Sequence, residues 1–182
     1  MLQFIIQGRG GQGAQLAGKL MADMFFQEGK NVLVYATYGG ARRGTPVSSS
    51  LRVDDKPIRM RCDIEHPDAI VCFDPSLLEG GPLLKGATAQ TIVLINSSLP
   101  AENFAHLGDF KAVTIDAKAI AQKHQLGRIV NTTLVGAALG LIGYANIALM
   151  EKVVGETSPV KSENNVAACM EGYRLVSEGS AR

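Results

Sequence analysis

Two stretches of this chain could do chemistry, and both are built on glycine. The first is IIQGRGGQG (residues 5–13), where Gly8, Gly10, Gly11 and Gly13 follow a hydrophobic run. A glycine turn between a strand and a helix presents backbone N–H groups at the positive end of the helix dipole, which suits a phosphate or carboxylate. Gly8, Gly10 and Gly13 also match the G-x-G-x-x-G spacing of dinucleotide-binding turns. That chemistry requires a second group, an Asp or Glu about 20 residues on, to hold the ribose. The next strand, NVLVYATYGG (residues 31–40), has no acidic residue, and Gln12 stands where a small apolar residue is usual. The sequence therefore disfavours NAD or FAD. Gly13 is followed by Ala14-Gln15 rather than Lys-Ser/Thr, which excludes a nucleoside-triphosphate P-loop. Two readings of Gly10, Gly11, Gln12 and Gly13 stay open: an anion-binding loop, or a turn that needs glycine only for close packing.

The second stretch is GGARRGTPV, where Arg42 and Arg43 sit between Gly40 and Gly44. Paired guanidinium groups suit bidentate contact with phosphate or carboxylate. A solvated turn, or a salt bridge to another subunit, fits the same residues. A third candidate is Asn131 in RIVNTTLVGA, where Asn131 or Thr132 caps a helix or contacts a ligand. No catalytic set accompanies them. His66, His106 and His124 are isolated, with His124 expected to face solvent. Asp74-Pro75 reads as a turn or helix cap, and Ser48 to Ser50 lack a nucleophile elbow. Cys62, Cys72 and Cys169 are far apart, so an iron–sulfur cluster or metal site held by this chain is not expected. They read as reduced thiols filling small buried spaces.

The elements that must position these residues follow from hydrophobic periodicity. Residues 2–7 and 31–37 read as strands. Between them Ala17, Leu20, Met21, Met24 and Phe25 recur at helical spacing, and Gly29 falls where a helix would end. Such a crossover implies parallel strands in an α/β sheet, with both glycine-rich loops at its carboxyl edge. VSSSLRVDDKPIRM reads as two strands joined at Asp54-Asp55-Lys56, an inserted antiparallel hairpin. Within it Val47, Ser49, Leu51 and Val53 share one face, and Ser48, Ser50 and Arg52 the other. Further strands are expected at residues 69–75, 90–98 and 111–117, with helices after residue 117, from Asn131, and over the C-terminal residues up to Gly179. The fold class is thus α/β: one Rossmann-like domain over residues 1–182, mostly parallel, with an antiparallel hairpin.

Composition narrows the partners. The 182 residues carry a net charge of +1, with 46% hydrophobic and 19% charged, so nothing draws the chain to nucleic acid or to an acidic membrane. No formal charge lies between Arg128 and Glu151, a stretch long enough to cross a bilayer. Its Asn131, Thr132, Thr133, Tyr144 and Asn146, and the lack of an aromatic belt or basic flank, favour a helix that is buried or faces another subunit. The expected setting is cytoplasmic, and the residues alone describe a binding or assembly domain.

GRGGQGAQLAGKLMADMFFQEGKNV and YGGARRGTPVSSSLRVDDKPI, followed by AIVCFDPSLL, NTTLVGAALG and NVAACMEGY, together resemble the gamma subunit of 2-oxoacid:ferredoxin oxidoreductases. The resemblance covers nearly the whole chain. It implies an enzyme that decarboxylates a 2-oxoacid on thiamine diphosphate, passes electrons through iron–sulfur clusters to ferredoxin, and releases acyl-CoA. It places the thiamine diphosphate and clusters on alpha, beta and delta-type partner subunits. The gamma chain itself is not catalytic and helps seat coenzyme A. By this resemblance Gly10, Gly11, Gln12 and Gly13 map to the family's loop, Arg42 and Arg43 to its basic segment, and Asn131 to the start of its late apolar helix. ARRGTPV looks more like pyruvate and branched-chain members than 2-oxoglutarate members, although it lacks the acidic residue that often precedes the arginines. A 2-oxoglutarate or indolepyruvate enzyme and a self-sufficient NAD or flavin domain are the alternatives.

Overall fold

The computed structural model describes residues 1–38, 44–80 and 82–179, so Arg42 and Arg43 lie outside the described residues. Six strands form one sheet: β1 (Leu2–Arg9), β2 (Asn31–Tyr38), β3 (Pro46–Asp54), β4 (Ala69–Cys72), β5 (Ile92–Asn96) and β6 (Lys111–Ile115). Their order is β2-β3-β1-β4-β5-β6. β3 pairs antiparallel with both β1 and β2, while β4, β5 and β6 follow β1 in parallel. Every strand but β3 therefore runs in one direction, as the α/β reading expects. The antiparallel hairpin lies one strand earlier than the sequence pattern placed it. It consists of β2 and β3, and the residues after the turn at Asp54-Asp55-Lys56 form no strand.

The two faces of the sheet are covered differently. Phe4, Ile6, Leu51, Val53, Val71, Leu94 and Ile115 share a core with the five α-helices of the described residues. These are α1 (Ala14–Gln27), α2 (Ala117–Lys123), α3 (Asn131–Leu141), α4 (Ile147–Thr157) and α5 (Ser162–Gly179). On the opposite face Ile70, Cys72, Val93 and Ile95 pack against Leu77, Leu78, Leu83 and Phe104, carried by short 3₁₀ turns. The period-2 alternation of β3 holds: Ser49, Leu51 and Val53 face the helices, and Ser48, Ser50 and Arg52 face away.

α1 ends as expected at Gly29, whose φ is +80°. The Gly29 amide donates to Phe26 and the Lys30 amide to Phe25, the paired bonds of a Schellman cap. The uncharged stretch after Arg128 does not form one long helix. Gly143 (φ +70°) closes α3, and the Asn146 side chain accepts from the Leu149 amide to start α4. Residues 131–140 of α3 are all buried within this chain, so their apolarity is accounted for without a subunit contact. Among the described residues no helix is long and apolar enough to cross a membrane.

Candidate functional site

β1 and α1 are joined by the glycine loop, and two of its residues need glycine for conformational reasons. Gly11 and Gly13 have φ of +98° and +91°, a region L side chains rarely adopt. Gly13 caps α1 with no side chain, so the amides of the first turn are not covered by a capping oxygen. The loop is also held from outside. The Gly10 amide donates to the Thr45 carbonyl at 2.9 Å, which removes one donor from any anion. Gln12 folds back: its Oε1 accepts from the Arg9 amide at 2.7 Å, and its Nε2 lies 3.5 Å from Asp74 Oδ2.

Arg9 and Asp74 lock this edge of the sheet. Arg9 Nε donates to Asp74 Oδ2 at 2.9 Å, Nη1 to the Gly44 carbonyl at 3.1 Å, and Nη2 to Ser76 Oγ at 2.7 Å. One guanidinium thus joins the end of β1, the segment just before β3 and the turn after β4. Asp74 is the helix cap its sequence setting indicated, accepting from the Ser76 amide at 3.1 Å, but it is also this ion-pair partner. Burial pushes the Asp74 carboxyl up, while the Ser76 hydroxyl and amide and the Arg9 guanidinium pull it further down, to a net position below the ordinary carboxylate value. A depressed carboxylate stabilises the fold above its unfolded pKa of about 4, and that contribution fades as pH falls further. Asp74→Asn is therefore expected to flatten the fall in Tm between about pH 5 and about pH 3, measured by thermal melts against the unaltered chain.

Across from the glycine loop lies α3. Asn131 is its first residue and only 5% exposed, yet its side chain is not the cap. The N-cap position is Val130, and among the described residues the Asn131 amide makes no side-chain hydrogen bond. Instead it sits against Gly13, where a Cβ would come within 3.1 Å of Asn131 Cβ. Thr132 does not cap either: its hydroxyl donates to Asn165 Oδ1 at 3.0 Å, and Asn165 Nδ2 donates to the Val160 carbonyl at 2.9 Å. These parts enclose a cleft of about 280 Å³. Gly11, Gln12, Gly13, Arg128 and Asn131 line it together with Thr157 and Ser158 and with the apolar Leu16, Leu20, Pro159 and Val160. No carboxylate, histidine or cysteine is among the described residues lining it. Among the described lining residues the cleft offers hydrogen-bond donors, hydroxyl groups and apolar surface but no carboxylate or imidazole base.

The structure thus brings Gly11, Gln12, Gly13 and Asn131 together, with Gly10 engaged by Thr45 beside them. The Arg9–Asp74 lock joins partners 65 residues apart, and the glycine spacing around Arg9 does not point to Asp74. His124 is not solvent-facing as expected. Its Nε2 lies 2.7 Å from Glu171 Oε2, and Lys123 Nζ reaches the same carboxylate at 2.8 Å. The Lys123 hydrogen bond, with help from His124, draws Glu171 below the ordinary carboxylate value. Cys72 and Cys169 are buried fillers as expected, whereas Cys62 is exposed.

Comparison with known proteins agrees with this architecture. The family model for pyruvate ferredoxin/flavodoxin oxidoreductase matches residues 3–175. The chain is 36% identical to pyruvate synthase subunit PorC of Methanothermobacter thermautotrophicus, over 97% of this chain and 96% of that one. It is 34% identical to the pyruvate/ketoisovalerate oxidoreductases common subunit gamma of Pyrococcus furiosus, over 95% and 96%. The crystal structure of pyruvate oxidoreductase subunit PORC from Thermotoga maritima superposes with a TM-score of 0.83 at 28% identity, covering 95% of each chain. The chain belongs to the pyruvate ferredoxin/flavodoxin oxidoreductase family.

Proposed function

We propose that this chain is the gamma-type subunit of a 2-oxoacid:ferredoxin oxidoreductase acting on pyruvate or a branched-chain 2-oxoacid, and that its part in the reaction is to seat coenzyme A. The observation that carries the coenzyme A reading is the cleft. Gly13 leaves the first turn of α1 without a side-chain cap, and Gly13, Asn131 and Arg128 line the cleft together with the apolar Leu16, Leu20 and Val160. A phosphate suits the polar groups and an uncharged portion of the ligand the apolar ones. Arg42 and Arg43 are proposed to add charge to the same edge, since Gly44 is bonded to the glycine loop through Gly10. The fit is one of binding groups only, in keeping with a cleft whose described lining has no carboxylate or histidine. Thiamine diphosphate and iron–sulfur clusters are assigned to alpha, beta and delta-type subunits, with ferredoxin as acceptor, in a cytoplasmic complex. The Pyrococcus relative, by its name, is common to pyruvate and ketoisovalerate enzymes. That supports placing the choice of 2-oxoacid on the other subunits.

The test is steady-state kinetics of the reassembled enzyme. Asn131→Ala, Arg42→Ala and Arg43→Ala are each expected to raise KM for coenzyme A by about tenfold, the equivalent of one lost hydrogen bond to a charged group. KM for the 2-oxoacid stays unchanged. An unchanged coenzyme A response in all three would reassign the cleft to subunit packing. Turnover by this chain alone would refute the subunit reading itself.

A further inference from the structure

Arg52 on β3 is fully buried, and its guanidinium has only neutral partners. Nε donates to Gln3 Oε1 at 3.1 Å and Nη2 to the Asp63 carbonyl at 3.0 Å. Nη1 is buried without any hydrogen-bond partner, and among the described residues no carboxylate pairs with Arg52. A guanidinium keeps its proton at any working pH, so a full charge is buried without a counter-ion. Nη2 also faces Cys62 Sγ at 3.9 Å. Cys62 is an exposed free thiol, and the chain around it is pinned: Tyr35 donates to its carbonyl at 3.1 Å, and Arg52 holds the carbonyl that follows. The free thiol of an exposed residue thus stands beside a cation that lacks an anion.

We propose that Cys62 is an oxidation site for peroxides, and that the oxygenated sulfur becomes the anionic partner of Arg52. After its proton has gone to solvent, the sulfur attacks one peroxide oxygen. The S–O bond forms as the O–O bond breaks, the sulfur gives up two electrons, and hydroxide leaves to become water. The product is a sulfenate. A second peroxide repeats the step to a sulfinate, whose paired oxygens suit the two terminal guanidinium nitrogens as a carboxylate would. The other two cysteines supply an internal reference, since burial pushes both thiols up to about 12. Oxidation at Cys62 fastens the segment after the Asp54-Asp55-Lys56 turn to the sheet face that carries Arg52.

The test is peptide mass mapping of the full chain, purified with its companion subunits and exposed to hydrogen peroxide. The Cys62 peptide is expected to gain one or two oxygens at least about tenfold faster than those of Cys72 and Cys169. A thiol reductant removes the single oxygen but not the pair. In a second measurement Cys62→Asp, which places a carboxylate where the sulfinate would be, melts about 3 °C above Cys62→Ser. Equal oxidation of all three cysteines, no oxygen on Cys62, or a Cys62→Asp chain no more stable than Cys62→Ser overturns the proposal.

Discussion

Gly136→Ala is expected to lower Tm by about 5–10 °C. A Cβ at Gly136 would lie 2.7 Å from the carbonyl carbon of Cys169 and closer still to its oxygen. The obstacle is backbone of α5, which cannot rotate away as a side chain can. Gly140 and Gly172 meet the same interface, against Tyr173 and Thr133. Alanine gains about 1 kcal/mol of helix propensity over glycine. Forcing two buried helices apart costs about 3–4 kcal/mol in lost packing, so the net loss is about 2–3 kcal/mol. The control is Gly155→Ala in α4, where the nearest atoms would be 3.5 and 3.6 Å away. There the propensity gain stands alone and Tm stays level or rises. Calorimetric melts of both variants decide the matter: if they match, α3 and α5 are not packed as closely as described.

The second large effect is expected at Asn96, at the carboxyl end of β5. Its side chain is 4% exposed and serves two elements at once. Nδ2 donates to the Phe73 carbonyl at 3.0 Å, and Oδ1 accepts from the Ala117 amide at 3.1 Å, at the first residue of α2. Asn96→Ala orphans both backbone groups in the interior, at about 1–2 kcal/mol each, for a total of about 2–4 kcal/mol. Asp116 caps the same helix through the Ala119 amide, but its bond is exposed. Asp116→Ala is therefore expected to cost about 1 kcal/mol. Urea titrations should rank Asn96→Ala well below Asp116→Ala in stability. The reverse order would mean that water, and not Asn96, satisfies the Phe73 carbonyl.

What could be read in the sequence was mainly local. α1 and α5 carry a helical period, β1 is a short apolar run, and Gly29 marks the end of α1 by the one conformation it alone adopts cheaply. The end of α3 was also written locally, in Gly143 and Asn146, but ten consecutive buried positions erase the amphipathic period that separates one helix from the next. The hairpin was misplaced for a topological reason. β3 has β1 on one side and β2 on the other, so a strand following Asp55 has no free edge of β3 to join. The candidate site divides in the same way. The glycine loop and Asn131 could be named from their residue types, whereas what holds them in place joins residues far apart in the chain. Arg9 with Asp74, Thr132 with Asn165 and His124 with Glu171 are all long-range pairs with no spacing to betray them. Arg52 shares the alternation of Ser48 and Ser50, which assigns it a face but not its complete burial.

The single reversed strand has a consequence for cofactor choice. In a dinucleotide-binding sheet the strand after the first helix lies directly beside β1, and its end comes within reach of a ribose whose diphosphate rests on the glycine loop. Here β3 occupies that place. The tip of β2 is displaced by two strand spacings, roughly 10 Å, from β1. A carboxylate grafted at Thr37 or Tyr38 would stand one full strand too far away to serve the loop. Evolving such a chain toward nicotinamide chemistry would take a change of strand order and not a point substitution, so the glycine loop is insulated by topology from the use its spacing first advertises.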